Sequence, residues 1–348
     1  MNKEEIWMQR ALDLSLLGSG RVAPNPLVGC VIIKNDQIIG EGWHQAYGQA
    51  HAEVMAINSL ANPEESIGSS VYVSLEPCSH VGKTPPCADL LIKSKVKEVI
   101  ICNLDPNPLV AGKGIEKLKA AGIQVSQGIL ENKGAEINRQ FFTFHTKKRP
   151  YITLKWAASQ DGFISQEDGK PVTFSNPTSQ ALVHQMRTQH QGILVGANTI
   201  IQDNPRLNVR LWPGNNPIRI VLDPHHRIPK SSQVLQDGQT TWIITKNGVA
   251  ENGACQWLAI GENFRIEDIL QLAYEKGLIS ILVEGGAKTL EAFLQSKLVD
   301  EVWKQEKSTL LGKGIAEPKH SLNWKKEVQV GEDNVWYQAD LSQPKNLQ

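Results

Sequence analysis

The sequence predicts an α/β protein built from two domains. With 348 residues, the chain is longer than one typical domain. Short runs of apolar and β-branched residues alternate with stretches of helical periodicity, which is typical of layered α/β sheets. A polar break that ends in proline, at residues 146–150, interrupts this alternation. We therefore place a first domain at residues 1–147 and a second at residues 148–348.

The same periodicities predict the individual elements. In the first half, helices are predicted at 4–17, 50–60, 87–94, 114–121 and 131–144, and strands at 28–33, 37–43, 70–75, 96–102 and 123–126. In the second half, strands are predicted at 151–157, 192–195, 218–222, 241–245 and 280–283, and helices at 179–189 and 287–295. Cys30, Cys102 and Cys255 lie in apolar, strand-like surroundings, so we expect them in the core.

The charge balance and the cysteine content narrow the class of protein. Lys plus Arg equals Asp plus Glu at 36 each, which gives no basic footprint for nucleic acid or an anionic membrane. The first residues lack the pattern of a signal peptide, and no apolar run approaches the roughly 20 residues that span a bilayer. Five cysteines, an odd and sparse set, fit a reducing compartment, so we expect a cytoplasmic protein.

One histidine and two cysteines in the first half have the chemistry of zinc ligands. His51, Cys78 and Cys87 can supply three of the four ligands of a tetrahedral zinc ion, which leaves the fourth position for water. Glu53 follows His51 by two residues, and His-x-Glu with a later Pro-Cys is the signature of zinc nucleobase deaminases. Alone, each residue is more often structural, and the cysteines could form a disulfide. In this combination they predict one catalytic zinc ion per chain.

The segment between the two cysteines is longer than in the short-spaced signature. Cys87 follows Cys78 by nine positions, and the intervening residues include Lys83 and Thr84. A cation and a hydroxyl on a loop anchored at both ends suit an anionic group, most simply a phosphate. Earlier in the chain, two prolines flank Asn25 and fix its backbone, which is unusual for a loop without a function.

Several motifs together resemble a known enzyme family over nearly the full chain. They are Pro24-Asn25-Pro26-x-Val28-Gly29, His51-Ala52-Glu53, Gly82-Lys83-Thr84-Pro85-Pro86-Cys87, Lys155-x-Ala157-x-Ser159-x-Asp161-Gly162 and Thr199-x-x-x-Asp203-x-Pro205-x-Leu207. The chain resembles the bifunctional deaminase–reductases of riboflavin biosynthesis. This resemblance implies a cytidine-deaminase-like three-layer α/β/α domain followed by a dihydrofolate-reductase-like α/β domain.

For the first domain, the resemblance implies a zinc-dependent deaminase. Its implied substrate, 2,5-diamino-6-(5-phosphoribosylamino)pyrimidin-4(3H)-one, loses the C2 amino group as ammonia and becomes 5-amino-6-(5-phosphoribosylamino)uracil. Glu53 takes a proton from the attacking water and returns it to the leaving amine. Substrate contacts are implied for Asn25, His44, Lys83 and Thr84. A structural role stays open for His44, because its position near the Asn25 loop is its only local argument.

For the second domain, the resemblance implies an NADPH-dependent reductase that opens the ribosyl ring into a ribityl chain. Nucleotide contacts are implied for Ala157, Thr199, Asp203 and the stretch from Gly286. Substrate contacts are implied for Arg187, Leu207, Arg210 and Glu284. The two arginines suit a phosphate, although a solvated surface arginine is otherwise the commoner case. Lys155 could polarise the reacting centre, or it could be an exposed strand residue.

The second domain departs from the family pattern at residues 171–175. The family usually has Ser-x-Trp-Ile-Thr there, whereas this chain has Pro171-Val172-Thr173-Phe174-Ser175. One alternative is therefore a deaminase whose second domain only binds substrate or holds an oligomer together. Two more are a nucleic-acid deaminase, which the neutral charge balance disfavours, and a non-catalytic zinc module, which gives Glu53 no role. The family suggests a homo-oligomer that acts on a small molecule, with neither nucleic acid nor membrane as a partner.

Overall fold

A computed structural model describes residues 1–79, 85–108, 110–167, 176–247, 253–324, 326–339 and 341. The chain divides into two compact units, Met1–Lys148 and Arg149–Gln348. This division lies within the polar break at 146–150. Within the described part of the chain, no helix combines the length and the apolar character that crossing a membrane requires.

The first unit is built on a five-stranded sheet. Its helices are α1 Lys3–Leu16, α2 Ala52–Asn58, α3 Cys87–Lys93, α4 Lys113–Ala120, α5 Glu131–Ile137 and α6 Arg139–Lys147, and its strands are β1 Gly29–Lys34, β2 Gln37–Trp43, β3 Ser70–Leu75, β4 Glu98–Asn103 and β5 Gln124–Gln127. The strand order is β2-β1-β3-β4-β5. β1 pairs antiparallel with β2 and β3, whereas β3, β4 and β5 are parallel. The carboxyl ends of β3 and β4 therefore lie side by side.

Two layers of helices cover the two faces of this sheet. Successive residues of a strand point to opposite faces. Cys30 and Ile32 of β1 belong to a buried apolar cluster with α2, α3 and α4. Val31 and Ile33, which alternate with them, belong to a second cluster with α1. The sheet is the middle layer, so the predicted three-layer α/β/α fold is confirmed.

One predicted helix of the first unit is broken in two. The pattern of residues 131–144 predicts a continuous helix, but α5 ends at Ile137 and α6 begins at Arg139. Asn138 lies between them, and its amide makes two hydrogen bonds to the backbone of Leu27, at 2.8 and 2.9 Å. Because these partners are far apart in sequence, helical periodicity does not reveal the break.

The second unit is built on a nine-stranded sheet. Its helices are α7 Pro177–Gln189, α8 Ala197–Asp203, α9 Gln233–Gln236, α10 Ile266–Glu275 and α11 Ala287–Ser296. Its strands are β6 Tyr151–Ser159, β7 Phe163–Ser165, β8 Gly192–Gly196, β9 Ile218–Leu222, β10 Thr241–Thr245, β11 Cys255–Ala259, β12 Ser280–Val283, β13 Glu301–Lys307, β14 Ile315–Ala316, β15 Lys326–Val330 and β16 Asp333–Ala339. The large sheet has the order β11-β10-β9-β8-β12-β6-β13-β16-β15, and β14 pairs with β7 separately.

Parallel pairing in this sheet brings three strand ends together. All pairs from β11 to β13 are parallel, and only β16 and β15 are added antiparallel. On β8, Leu194 faces an apolar cluster with α10 and α11, and Ile193 and Val195 face a cluster with α8. Both faces are therefore covered, as parallel sheets require. The adjacent carboxyl ends of β8, β12 and β6 form one edge, where open α/β sheets usually bind ligands.

The C-terminal strands were not predicted because β13 carries charges that normally mark a surface. Glu301 is nevertheless 2% exposed and accepts a hydrogen bond of 3.0 Å from the Tyr151 hydroxyl. Lys304 is 8% exposed and lies 3.1 and 3.0 Å from Glu306 and Glu317. Charged residues that are paired in this way tolerate burial. Because they interrupt the alternation of apolar and polar residues, that alternation does not predict the strand.

Candidate functional site

The three predicted zinc ligands converge in the first unit. His51 is the N-cap residue of α2, Cys78 follows β3, and Cys87 is the first residue of α3. His51 Nδ1 lies 3.3 Å from Cys87 Sγ and 3.6 Å from Cys78 Sγ, and the three donor atoms are within 4.8 Å of one another. Zinc–ligand bonds of normal length place N and S atoms of a tetrahedral site about 3.6 Å apart. The residues therefore fit a zinc ion in both chemistry and spacing.

The two cysteines of this cluster are thiols. All five cysteines of the chain are free, so Cys78 and Cys87 are not joined in a disulfide. The Cys87 thiol donates to the Cys78 sulfur, and this hydrogen bond lowers the pKa of Cys78 to about 4 and raises the pKa of Cys87. A lowered pKa favours the thiolate of Cys78, which is the form that binds metals. Cys30, Cys102 and Cys255 are buried, as predicted.

Glu53 lies in the first turn of α2, two residues after His51. The residue is 3% exposed, and burial raises the pKa of Glu53 to about 7. The neighbouring Cys78 sulfur adds to this rise. A carboxyl group whose pKa is close to neutral can both accept and donate a proton at the operating pH.

Hydrogen bonds fix the amide of Asn25 through His44. His44 Nδ1 lies 3.0 Å from the Ala50 carbonyl oxygen, which can only accept, so Nδ1 carries the proton. Burial lowers the pKa of His44, which favours the neutral ring. Nε2 is then an acceptor, and the Asn25 Nδ2 group donates to it at 3.1 Å. Within the described residues Asn25 Oδ1 has no partner, so this acceptor is left for a ligand.

A cavity of about 310 Å³ joins these groups. Its lining includes Asn25, His44, His51, Glu53 and Cys78. Further lining residues that the sequence analysis missed are Tyr47, Glu76, Asp105, Asn107, Val110 and Phe141. The available signal was the run Asp105-Pro106-Asn107-Pro108, which repeats the proline-flanked asparagine of the Asn25 loop. Lys83 and Thr84, predicted to bind a phosphate, lie outside the described residues, as does the divergent segment 171–175.

In the second unit, a buried ion pair joins two of the predicted substrate residues. Arg187 of α7 donates from Nε and Nη2 to the two carboxylate oxygens of Glu284, at 2.8 and 2.7 Å. A third bond of 3.0 Å runs from Arg187 Nη1 to the Asn208 carbonyl oxygen. The guanidinium group therefore connects the end of β12 to the segment before Arg210, in the two-point geometry that distinguishes arginine from lysine.

Lys155 is a buried residue of β6, so its interpretation as an exposed strand residue is wrong. It is 9% exposed, and burial lowers the pKa of Lys155 to about 8. Glu284 and Asp333 oppose this shift through their negative charge, whereas Arg187 adds to it. A lysine whose charge is this close to titrating is unusual for a purely structural residue, and such groups cluster at functional sites.

His184 is a buried histidine of the same cluster that the sequence analysis missed. Its Nδ1 accepts a hydrogen bond of 3.2 Å from the backbone N–H of Arg210. The ring is 3% exposed, and burial, followed by the charges of Arg187 and Arg210, lowers the pKa of His184 to about 4. His184 is therefore neutral, with its proton on Nε2. Its position three residues before Arg187 on α7 was the available signal, because such residues share one helix face.

The remaining predicted residues of the second unit are four nucleotide contacts and two substrate contacts. Gly286 has φ 74°, and a Cβ built on it would lie 3.4 Å from Thr199 Oγ1, so these two predicted nucleotide contacts are neighbours. Asp203, an exposed residue, ends α8, and partial desolvation of its carboxyl raises its pKa, while Ala157 is half-buried on β6. Leu207 is 3% exposed and packs in an apolar cluster, so its side chain is a core residue. The side chain of Arg210 is exposed.

The family models and curated relatives agree with this arrangement. The model of the cytidine and deoxycytidylate deaminase zinc-binding region matches residues 1–103, and that of the RibD C-terminal domain matches residues 150–330. The riboflavin biosynthesis protein RibD of Aquifex aeolicus is 38% identical over 347 residues, which are 94% of this chain and 96% of that protein. The chain belongs to the RibD family. The RibD of Bacillus amyloliquefaciens is 42% identical over 309 residues, 86% of this chain and 83% of that protein.

Solved RibD structures share the whole fold. A RibD structure from Acinetobacter baumannii matches with a TM-score of 0.88 at 34% identity, over 96% of this chain and 98% of that chain. A Thermotoga maritima structure, described as a diaminohydroxyphosphoribosylaminopyrimidine deaminase/5-amino-6-(5-phosphoribosylamino)uracil reductase, matches with a TM-score of 0.87 at 36% identity, over 97% and 99%. As a RibD, this chain is a bifunctional deaminase and reductase of riboflavin biosynthesis.

The residues present suit the two cofactors of a RibD, zinc and NADPH. One imidazole and two thiolates are ligands that favour zinc. For the nucleotide, Gly285 packs closely on β8, because a Cβ on it would lie 2.5 Å from Val195, and Gly286 takes φ 74° as the N-cap residue of α11. Backbone N–H groups at such a helix start can approach a phosphate closely.

Proposed function

We propose that this chain deaminates 2,5-diamino-6-(5-phosphoribosylamino)pyrimidin-4(3H)-one and then reduces the ribosyl group of the resulting aminouracil to a ribityl chain. The first step is assigned to residues 1–147 and the second to residues 148–348. The observation that carries the proposal is the convergence of the metal-binding atoms of His51, Cys78 and Cys87, of which His51 and Cys78 line one cavity with Glu53. The activities printed for the Thermotoga maritima relative support the choice of substrates.

In the deaminase cavity, this chain provides a metal-binding triad and a proton carrier. His51, Cys78 and Cys87 would hold a zinc ion, which would supply Lewis-acid activation of a water molecule. Glu53 accepts a proton from the water as its oxygen bonds to C2, and passes that proton to the amino group on C2, so that the C2–N bond breaks, ammonia leaves and C2 keeps the oxygen. Asn25 Oδ1 accepts a hydrogen bond from a pyrimidine N–H, because His44 holds the amide with its oxygen free. Lys83 and Thr84 are assigned to the substrate phosphate.

In the reductase site, this chain orients the sugar and places charge beside it. NADPH supplies the hydride when bound, and we assign Ala157, Thr199, Asp203 and the segment from Gly286 to the nucleotide. Lys155 polarises the sugar at C1′, and Glu284, held by Arg187, accepts from a sugar hydroxyl. Arg210 is exposed and therefore available to a phosphate, and Leu207 contributes only its backbone.

We also infer the cellular setting from composition. The neutral charge balance supports a small-molecule substrate and gives no support to nucleic acid or an anionic membrane as a partner. Five free cysteines support a cytoplasmic, reducing location. A homo-oligomer is proposed on the family resemblance alone, and its test is the mass of the purified protein in solution.

The proposal is tested on the purified chain with the diaminopyrimidine substrate. Zinc content, ammonia release and NADPH oxidation are measured together. We expect about one zinc ion per chain, matching three protein ligands and one open position, with ammonia release preceding NADPH oxidation. Ammonia release without NADPH oxidation would favour the alternative in which the second unit only binds substrate. Absence of both zinc and ammonia would contradict the deaminase assignment.

A further inference from the structure

Glu76 is a buried carboxylate beside the deaminase cavity. It has no role in the metal binding or the proton transfer proposed above. It follows β3 directly, lines the cavity, and is 4% exposed. Three backbone N–H groups donate to it: Gly114 to Oε1 at 3.1 Å, Gly112 to Oε2 at 3.1 Å, and Asp105 to Oε2 at 3.4 Å. A buried charge is costly unless it is hydrogen-bonded, so these three bonds account for its presence there.

The three donors mark both ends of one stretch of the cavity wall. Gly112 is the N-cap residue of α4 and Gly114 lies in its first turn, where N–H groups have no partner within the helix. A carboxylate is favoured at this positive end of a helix. Asp105 begins the same segment, two residues after β4 ends. Asp105, Gly112 and Gly114 are thus all bonded to Glu76, and Asp105, Asn107 and Val110 line the cavity.

A second contact joins the same segment to the turn that carries Cys78. A Cβ built on Gly114 would lie 2.0 Å from the Pro77 carbonyl oxygen, so α4 packs directly on the backbone next to Cys78. On its other side, this turn is held by a bond of 3.1 Å from the Ala88 N–H to the Cys78 carbonyl oxygen. The wall segment and the metal-binding turn therefore meet at Glu76 and Pro77.

We propose that Glu76 is a positioning residue for the deaminase substrate. Its carboxylate holds Asp105, Gly112 and Gly114 in register with the Cys78 turn, and so sets the position of the wall that carries Asn107 and Val110. Proton transfer stays with Glu53, because the oxygens of Glu76 are occupied by backbone N–H groups. This inference rests on the proposed deaminase substrate and adds to it the residue that shapes the pocket.

The test compares Glu76→Gln with Glu116→Gln, a control at an exposed position on α4. An amide cannot accept at its nitrogen, so E76Q leaves at least one buried N–H without an acceptor. We expect the KM for the diaminopyrimidine to rise about tenfold with kcat changed less than threefold. Zinc content and reductase activity on the aminouracil should equal those of the wild type, and E116Q should match the wild type throughout.

The outcomes separate this inference from the proposed function. If the wild type releases no ammonia, the proposed substrate is wrong. If the wild type is active and E76Q has an unchanged KM, or loses zinc and kcat together, the positioning role is overturned. Gly114→Ala places a methyl group against the Pro77 carbonyl oxygen, which displaces α4 from the Cys78 turn, and should also raise the KM for the diaminopyrimidine.

Should E76Q not accumulate as folded protein, amide hydrogen exchange on the wild type gives the answer. The Gly112 and Gly114 amides should exchange slowly, although the first N–H groups of a helix usually exchange fast. Adding the aminouracil product should slow them further. Fast exchange, or exchange that the product leaves unchanged, would overturn the proposal.

Discussion

The two active sites of this chain are assembled in different ways. In the first unit, the metal-binding atoms come from two short motifs and lie within 4.8 Å of one another. In the second unit, Lys155, Arg187 and Glu284 come from a strand, a helix and the end of another strand, and parallel pairing brings them together. Metal binding requires particular residue types at close range, whereas positioning a sugar against a hydride donor requires a shaped pocket. The first requirement can be recognised from motifs in the sequence, whereas the second can be recognised mainly from the fold.

A pair of histidines shows the same contrast at the level of single atoms. His44 in the first unit carries its proton on Nδ1, because that atom faces the Ala50 carbonyl oxygen. His184 in the second unit carries its proton on Nε2, because its Nδ1 accepts from the Arg210 N–H. Burial keeps both rings neutral. Each histidine holds a neighbouring group in place, and the backbone decides which nitrogen it presents.

The largest effect is expected from Glu53→Gln, which separates the two sites most sharply. Removing the proton carrier should lower ammonia release about 10³-fold. Zinc content should stay at the wild-type level, because Glu53 is not among the metal-binding atoms. NADPH oxidation with the aminouracil supplied directly should be unchanged. A parallel fall of both activities would show that the sites are not independent, and unchanged deamination would contradict the role of Glu53 as the proton carrier.

The next effect concerns the charge of Lys155 in the second site. Its pKa of about 8 lies below the usual value near 10.4 for a lysine, so the cation is lost in the folded protein as pH rises through about 8. If the cation polarises the sugar, the kcat/KM of the reductase should fall above pH 8. Lys155→Met should lower it about 10²-fold and remove this dependence. The control is the deaminase activity of the same variant, measured as ammonia release, which should be unchanged.

The pH dependence of the free energy of unfolding provides a second test of the lowered pKa of Lys155. Between about pH 8 and about pH 10.4 the unfolded chain binds the Lys155 proton and the folded chain does not. The free energy of unfolding of the wild type should therefore rise with pH across this window relative to K155M. A difference between the two proteins that is flat with pH would contradict the assigned pKa shift.

The smallest effects should distinguish the two histidines by their opposite tautomers. The oxygen of asparagine lies near the position of Nδ1 and that of glutamine near Nε2. H184N keeps an acceptor for the Arg210 N–H, so H184Q should raise the reductase KM about fivefold more than H184N does. At His44 the order of the two variants reverses: H44N should raise the deaminase KM more than H44Q does. H44Q keeps the acceptor for the Asn25 amide, and H44N does not. The activity of the other unit is the control in each case, and the same order at both positions would contradict the assignment.

The deaminase centre was predictable because each ligand is a rare residue type in a fixed order. His51, Cys78, Cys87 and Glu53 were all located from the sequence, and the structure brings them together. The rest of the cavity was missed. Asp105 and Asn107 reach it only because β4 pairs parallel with β3, and this pairing is not written in the local sequence.

In the second unit, strands of apolar residues were predicted well and charged elements poorly. β9, β10 and β12 have the predicted bounds. β13 was missed, because Glu301 and Lys304 are buried as partners of residues distant in the chain. The burial of Lys155 and the role of His184 depend on how α7 packs on the sheet, so helical periodicity alone gives their face and not their contacts.

The central claim, that separate sites in the two units carry out the two steps, predicts that aminouracil made by one chain can be reduced by another. Mixing two inactive variants tests this most directly. E53Q and K155M are combined with the diaminopyrimidine substrate and NADPH, and NADPH oxidation is followed. Neither variant alone should oxidise NADPH at more than a small fraction of the wild-type rate. The mixture should recover steady oxidation after a lag, because K155M makes the aminouracil and E53Q reduces it. A mixture that stays as inactive as its components, although each variant retains its other activity, would contradict the claim.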